Sequence, residues 1–211
     1  MKGLFIKDIR CIWKVVVACI ASMLLIVLSV NTMVENMDID VISKAIICVY
    51  LIVICGSLVS ATMIAEDEKS KFDIYTFVLP IDKRLVTLEK FIMSFGIVML
   101  YTIVGLITIS IISDKPQEHT WYIIYLAAPV ALILIGMQIV ISKFFGMASA
   151  LVSTIVTSSI LLVILFAVSL LIYAFYDIDI FVYQCREIFF IIGIILYVVF
   201  ALIACNVREE C

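Results

Sequence analysis

The hydrophobic pattern of the chain is dominated by six long apolar stretches. They lie at about Trp13–Val30, Lys44–Ala65, Phe91–Ile112, Trp121–Ile141, Met147–Phe175 and Ile188–Cys205. Apart from Lys14 and Lys44 near their beginnings, these stretches contain no acidic or basic side chain. A helix needs about 20 apolar residues to cross a bilayer, whereas a barrel strand needs about 10 that alternate with polar ones. The pattern therefore predicts an all-α polytopic membrane protein with six transmembrane helices.

Composition supports this prediction. Hydrophobic residues make up 66% of the 211-residue chain and charged residues only 15%, whereas soluble domains are about 25% charged. A soluble domain could not bury so much apolar surface, and a disordered chain would be polar. The net charge of -3 leaves no basic surplus for binding nucleic acid. We expect a single transmembrane domain over residues 1–211, with the lipid bilayer as its surroundings.

The basic residues predict the orientation. Eleven of the 14 Lys and Arg residues fall in the N-terminus, the second-to-third loop, the fourth-to-fifth loop and the C-terminus. Positively charged loops stay on the cytoplasmic side. We therefore expect a multi-pass protein of the plasma membrane with both termini in the cytoplasm.

The first residues form an amphipathic pattern. In Met1–Lys14, apolar side chains gather near one helical face and charged ones on the other. This predicts an interfacial helix over residues 1–14, with Trp13 at the level of the lipid headgroups. The segment can equally be read as the positively charged flank that sets topology.

The largest loop predicted in the cytoplasm covers residues 66–90. Three acids at Glu66–Glu68 suit the start of a short helix, because they complement its dipole. Pro80 ends that helix, and Asp82 can cap a second one that continues into the third span. A short surface helix with an apolar edge can dock into the groove of a partner protein. The alternative is a solvated run of charges lying on lipid headgroups.

The same loop carries a resemblance. Acids at Glu66–Glu68, Lys69-Ser70-Lys71 before Phe72, Leu79-Pro80-Ile81 before basic residues, and Glu89-Lys90-Phe91 resemble the pattern of short bacterial ABC-2 permeases. Among these, the chain is similar to permeases that export phenol-soluble modulins, which are amphipathic peptides. Phe72 stands where tryptophan is frequent, and Asp82-Lys83-Arg84 replaces the usual serine-arginine step.

The resemblance implies a transport subunit rather than an enzyme. A second permease copy or paralogue would complete a dimer, and cytosolic ABC ATPase subunits would bind the ATP and Mg²⁺. This chain would hold no cofactor and no metal, and it contains no Walker A motif of its own. The transported substrate would be a peptide. The residues expected to dock the ATPase are Glu66, Glu68, Lys71, Phe72, Tyr75, Leu79, Pro80 and Arg84.

Polar side chains inside the spans are few. Gln138 is the carboxamide well inside the fourth span, and we expect it to need a partner across a helix or a dimer interface. The fifth span carries a stripe of small hydroxyl residues, which either packs helices closely or lines an export path. Its members are Ser149, Ser153, Thr154, Thr157 and Ser158.

Two other classes of function are weighed against the permease. A membrane-embedded immunity or regulatory subunit would have the same spans but no transport path. An ion-coupled carrier is disfavoured, because such carriers usually have Asp, Glu, Lys, Arg or His inside their spans and the interiors of the six apolar stretches have none.

Overall fold

The computed structural model describes residues 2–34, 41–69, 83–112, 125, 127–145, 152 and 178–206. Within these residues the chain forms five α-helices and no strand, which confirms the all-α class. The helices are α1 (Lys2–Val34), α2 (Val41–Lys69), α3 (Lys83–Ile112), α4 (Ala128–Phe145) and α5 (Ile178–Asn206).

Four of these helices are long and apolar enough to cross a membrane. The candidate spans are Ile6–Ser29, Ile47–Asp67, Arg84–Ser110 and Glu187–Asn206. The apolar part of α4, Ala128–Phe144, is shorter. Apart from Val152, the predicted fifth span lies outside the described residues, so the count of six spans stays a prediction.

The second helix forms the centre of the bundle. It packs against α1, α3 and α4, and 67% of its most apolar window is buried. The corresponding buried shares in α1 and α5 are only 22% and 17%. The outward faces of α1 and α5 are nevertheless apolar, with side chains such as Leu25, Ile195 and Leu202. Apolar outward faces on helices of this length are suited to lipid contact.

One end of the bundle gathers four helix termini. Asp67 near the end of α2 pairs with Lys7 of α1 and with Lys90 of α3. Cys205, near the end of α5, lies with its sulfur 3.8 Å from the carbonyl oxygen of Arg84 at the start of α3. Helices α1 and α3 therefore run away from this end, which we call the charged end, and α2 and α5 run towards it. Which side of the membrane it faces stays a prediction.

Helix α4 runs parallel to α5. Gly193 of α5 faces Pro129 at the start of α4. About two turns further along both helices, Gly136 of α4 faces Phe200 of α5. The contact at Gly193 is so close that a Cβ there would overlap Pro129. Proline is well tolerated in the first turn of a helix, where its missing N–H costs nothing. A glycine on α5 is therefore what lets the start of α4 approach.

The structure bears on two local expectations, the helix over residues 1–14 and the short helix predicted to begin at Glu66. The segment predicted as an interfacial helix, residues 1–14, is from Lys2 onward the first part of the continuous helix α1, and its position at the membrane surface stays a prediction. The acids of Glu66–Glu68 belong to the last turns of α2, so the expectation that they open a new helix is wrong. Helix α3 begins at Lys83, directly after the predicted cap Asp82.

Candidate functional site: a charged cluster at the helix ends

Asp67 is the centre of a cluster of charged side chains. Lys7 Nζ donates to Asp67 Oδ1 at 2.5 Å, and Lys90 Nζ lies 2.5 Å from Asp67 Oδ2. Lys7 Nζ also lies 3.8 Å from Asp8 Oδ1. One carboxylate on α2 therefore holds an ammonium from α1 with one oxygen and an ammonium from α3 with the other.

The cluster is buried. Asp67 is 5% exposed, Asp8 6% and Glu89 3%, whereas the side chain of Lys7 retains 29% exposure. We define the charged cluster as Lys7, Asp8, Asp67, Glu89 and Lys90. Removing charges from water is expensive, and a buried pair repays the expense only when its geometry is good. The paired geometry at Asp67 meets that condition, and breaking it would leave charge without compensation.

Glu89 is the imperfectly satisfied member of the cluster. Its Oε1 atom is buried and makes no hydrogen bond. Burial and the nearby carboxylates of Asp8 and Asp67 disfavour a negative charge on Glu89, whereas Lys7 favours one. With three carboxylates and two ammonium groups, the cluster has an excess of acid groups over bases.

The charged cluster lies where it connects the helices on both sides of residues 70–82. Residues 70–82 connect the end of α2 to the start of α3. Asp67 lies in the last turn of α2, and Lys90 lies in the first part of α3. The ion pair between them therefore joins the helices on both sides of this segment, and Lys7 adds α1. A force on residues 70–82 would reach three helices through one carboxylate.

A second set of contacts fixes α5 to the start of α3. Tyr197 Oη donates a hydrogen bond of 2.7 Å to the carbonyl oxygen of Phe91. The two rings pack edge to face, with centroids 5.3 Å apart, and Phe95 lies next to the same tyrosine at 6.5 Å. Edge-to-face packing is a favourable aromatic geometry. The start of α3 is thus bound to α2 by an ion pair and to α5 by the Tyr197 hydroxyl and by ring packing.

The residues predicted to dock an ATPase lie on or near this end. Glu66 is exposed in the last turns of α2, Glu68 follows it in the same helix, and Arg84 is exposed at the start of α3. The others lie outside the described residues: Lys71, Phe72, Tyr75, Leu79 and Pro80. Their role in docking stays a prediction.

Gln138 lies inside the bundle. It is 3% exposed, and neither its Nε2 nor its Oε1 atom makes a hydrogen bond. The partner that the sequence led us to expect for it is therefore absent from the described residues. The hydroxyl stripe predicted on the fifth span lies outside those residues and stays a prediction; its members are Ser149, Ser153, Thr154, Thr157 and Ser158.

Asp8, Asp67 and Glu89 were missed as site residues by reasoning from the sequence. A signal for Asp8 exists, because it shares a helical face with buried Ile12, Cys19 and Met23, which follow at helical spacing. A charge on the inward face of an otherwise apolar helix needs a partner. For metal binding the finding is different: within the described residues, no group of three His, Cys, Asp or Glu side chains could hold an ion.

Comparison with known proteins places the chain in a family. Residues 3–207 match the family described as ABC-2 family transporter protein. No curated protein and no solved structure matches the chain. The match covers nearly the whole sequence and includes all of the described helices except Lys2. Members of this family are membrane components of ABC transporters, and the family implies an ATPase partner. Its apolar helices and this match together make the chain a multi-pass membrane permease. The chain belongs to the ABC-2 transporter family.

Proposed function

We propose that this permease is the membrane-spanning subunit of a bacterial ATP-driven exporter. Two copies, or one copy and a paralogue, form the transport unit, and an ABC ATPase docks on the Glu66–Pro80 segment from the cytoplasm. ATP and Mg²⁺ are bound by the ATPase chain. The observation that carries the proposal is the family match over residues 3–207, together with the ion pairs that join both flanks of residues 70–82.

The charged cluster provides a route from the docking segment to the spans. When ATP closes the partner ATPase pair, residues 70–82 are displaced, and the ends of α2 and α3 follow. Because Lys7 and Lys90 share the carboxylate of Asp67, α1 is carried along with them. Charge-assisted hydrogen bonds are short and stronger than neutral ones, so the three helix ends move together.

The proposed substrate is an amphipathic or hydrophobic peptide, of the phenol-soluble modulin or antimicrobial type. The buried interior of the described helices supports this class, because beyond the charged end it consists of aliphatic, aromatic, hydroxyl and sulfur-containing side chains with one carboxamide, at Gln138. An interior of this kind offers no fixed charge to attract an ionic substrate. Peptides with a large apolar face would meet matching surfaces along it.

Purification of the tagged chain with its partner tests the proposal. The full chain is isolated in mild detergent with ATP and Mg²⁺, and accompanying proteins are identified by mass spectrometry. We expect a stoichiometric chain with a Walker A motif. Phe72→Glu should remove it, because a charge on the apolar edge of the docking segment prevents insertion into the ATPase groove.

The matched control is Phe144→Glu, which places the same change on an exposed phenylalanine at the end of α4. It should leave the ATPase bound. A chain that purifies alone in detergent and in nanodiscs would contradict the permease proposal and favour an immunity or regulatory subunit. An ATPase retained by Phe72→Glu would contradict docking through the segment.

A further inference from the structure

Five buried side chains of the described helices have a polar atom without a hydrogen-bond partner. Two of them are Glu89 of the charged cluster and Tyr101, which lies two turns beyond Ser94 on α3; the other three lie in the middle of the bundle. They are Ser60 on α2, Ser94 on α3 and Gln138 on α4, which are 3%, 2% and 3% exposed. Both serine Oγ atoms and both polar atoms of the Gln138 carboxamide lack a partner. Helical serines and threonines commonly bond to a carbonyl one turn earlier. Elsewhere in the described helices eight hydroxyl side chains do so; they belong to Ser22, Ser29, Ser57, Thr62, Thr102, Thr108, Ser110 and Ser142.

The three side chains lie at one level of the bundle. A Cβ on Gly56 would lie 3.2 Å from Ile135 Cδ1 and 3.7 Å from Val98 Cγ2, so α2, α3 and α4 converge there. Residues three or four positions apart share a helical face one turn apart. Towards the charged end, Ser60 lies four positions from Gly56 on α2, and Ser94 lies four positions from Val98 on α3. On α4, Gln138 lies three positions from Ile135 in the same direction. Three neighbouring helices thus each carry a buried, unpartnered polar group in the same layer.

The chemistry of this layer fits a small neutral ligand. A carboxamide offers two donors and an acceptor, and each hydroxyl offers one donor and an acceptor. Within the described helices, the polar groups assigned to this layer are all uncharged. Leaving such atoms unpaired in a membrane interior is costly, whereas a buried water commonly satisfies two to four polar groups at once.

We propose that Ser60, Ser94 and Gln138 form a water-binding site inside the protein, reached by water from the charged end. Lys90 stands one turn before Ser94 on α3, so on that helix the site begins one turn from the charged cluster. On α2, Asp67 stands two turns beyond Ser60, with the buried apolar side chains of Met63 and Ile64 between them. Water there gives α2, α3 and α4 exchangeable hydrogen-bond partners. These helices can then shift against each other without leaving polar groups bare. The inference rests on the packing and is independent of the proposed function.

Cysteine accessibility tests the proposal. Ser60→Cys and Ser94→Cys are prepared in the full chain in nanodiscs and treated with aminoethyl methanethiosulfonate, and modification is followed for each cysteine by mass spectrometry. The controls are Val59→Cys and Val98→Cys, whose native side chains are fully buried on the same two helices. Because the reacting thiolate needs water, we expect the serine positions to react about tenfold faster than their controls.

Each outcome decides the question. Faster reaction at both serine positions supports a shared hydrated site. Equal rates for the serine positions and their controls would overturn the proposal, and faster reaction at one position alone would contradict a site shared by α2 and α3. The two variants report independently, and exchange of serine for cysteine changes one atom. Size-exclusion chromatography verifies that each variant is folded.

A second variant tests the part played by Gln138. In the Ser94→Cys chain, Gln138→Leu should lower the rate of modification about tenfold, because leucine offers no donor or acceptor to hold water. Ile139→Leu, a change between apolar side chains at the neighbouring buried position, should leave the rate unchanged. A rate unaffected by Gln138→Leu would remove Gln138 from the site.

Discussion

Lys90 Nζ lies 2.5 Å from Asp67 Oδ2, and this pair connects the beginning of α3 with the end of α2. The second carboxylate oxygen of Asp67 is taken by Lys7 of α1. Asp67 is therefore the residue through which the three helices at the charged end are joined. Its burial makes this junction sensitive to any change of charge.

Asp67→Asn is expected to destabilise the protein by about 3 kcal/mol, since it leaves two ammonium groups without their shared anion. Partial exposure of Lys7, at 29%, keeps the effect in the lower part of the usual range. Thermal unfolding in detergent, followed by circular dichroism, measures the change. Glu66→Gln is the matched control, because it removes the same charge from the neighbouring exposed residue. A similar loss in both variants would contradict the role of Asp67.

Gly193→Val should destabilise the contact between α4 and α5. The added side chain would overlap Pro129, and such overpacking costs about 1–3 kcal/mol. Gly96→Ala serves as the control, because no atom lies within 4 Å of a Cβ placed there. That control should leave stability unchanged or raise it slightly, since alanine favours helices. Unfolding midpoints that shift by the same amount from wild type in both variants would contradict the close approach of α4 and α5.

Tyr197→Phe should cost about 1 kcal/mol, which is the usual contribution of one neutral hydrogen bond. The change removes the bond to the Phe91 carbonyl oxygen and keeps the ring contact. Tyr197→Leu should cost more, because the edge-to-face packing is lost as well. The two unfolding free energies, compared with wild type, separate the hydroxyl from the ring. A Phe variant as unstable as the Leu variant would contradict this division.

Each described helix contains most of one predicted apolar stretch, because uninterrupted apolar stretches of about 20 residues leave few alternatives. The sequence also predicts that helix α3 starts next to Asp82. The acids of Glu66–Glu68 were assigned to the wrong end of a helix for a physical reason. The dipole disfavours acids at a helix C-terminus, but pairing of Asp67 with Lys7 and Lys90 outweighs that preference.

The charged cluster could not be predicted from helical patterns alone. Lys7 and Lys90 are distant in sequence, and each looks like an ordinary basic flank of a span. Only the packing of α1 and α3 on α2 brings both to one carboxylate. Similarly, the lack of a hydrogen-bond partner for buried Gln138 depends on which faces of α2 and α3 meet α4. Side chains that act across helices need tertiary structure to be recognised.

The distance between α1 and α3 at the charged end tests the central claim most directly. Spin labels are placed on the exposed native Cys11 and on Leu88→Cys, with the other cysteines replaced by alanine, and distances are measured by electron paramagnetic resonance in nanodiscs diluted with unlabelled chain. The structure predicts one narrow distance distribution, unchanged in Glu66→Gln and clearly broadened in Asp67→Asn, because the shared carboxylate holds the two helices together. Equal widths in all three proteins would contradict the claim that Asp67 joins these helices.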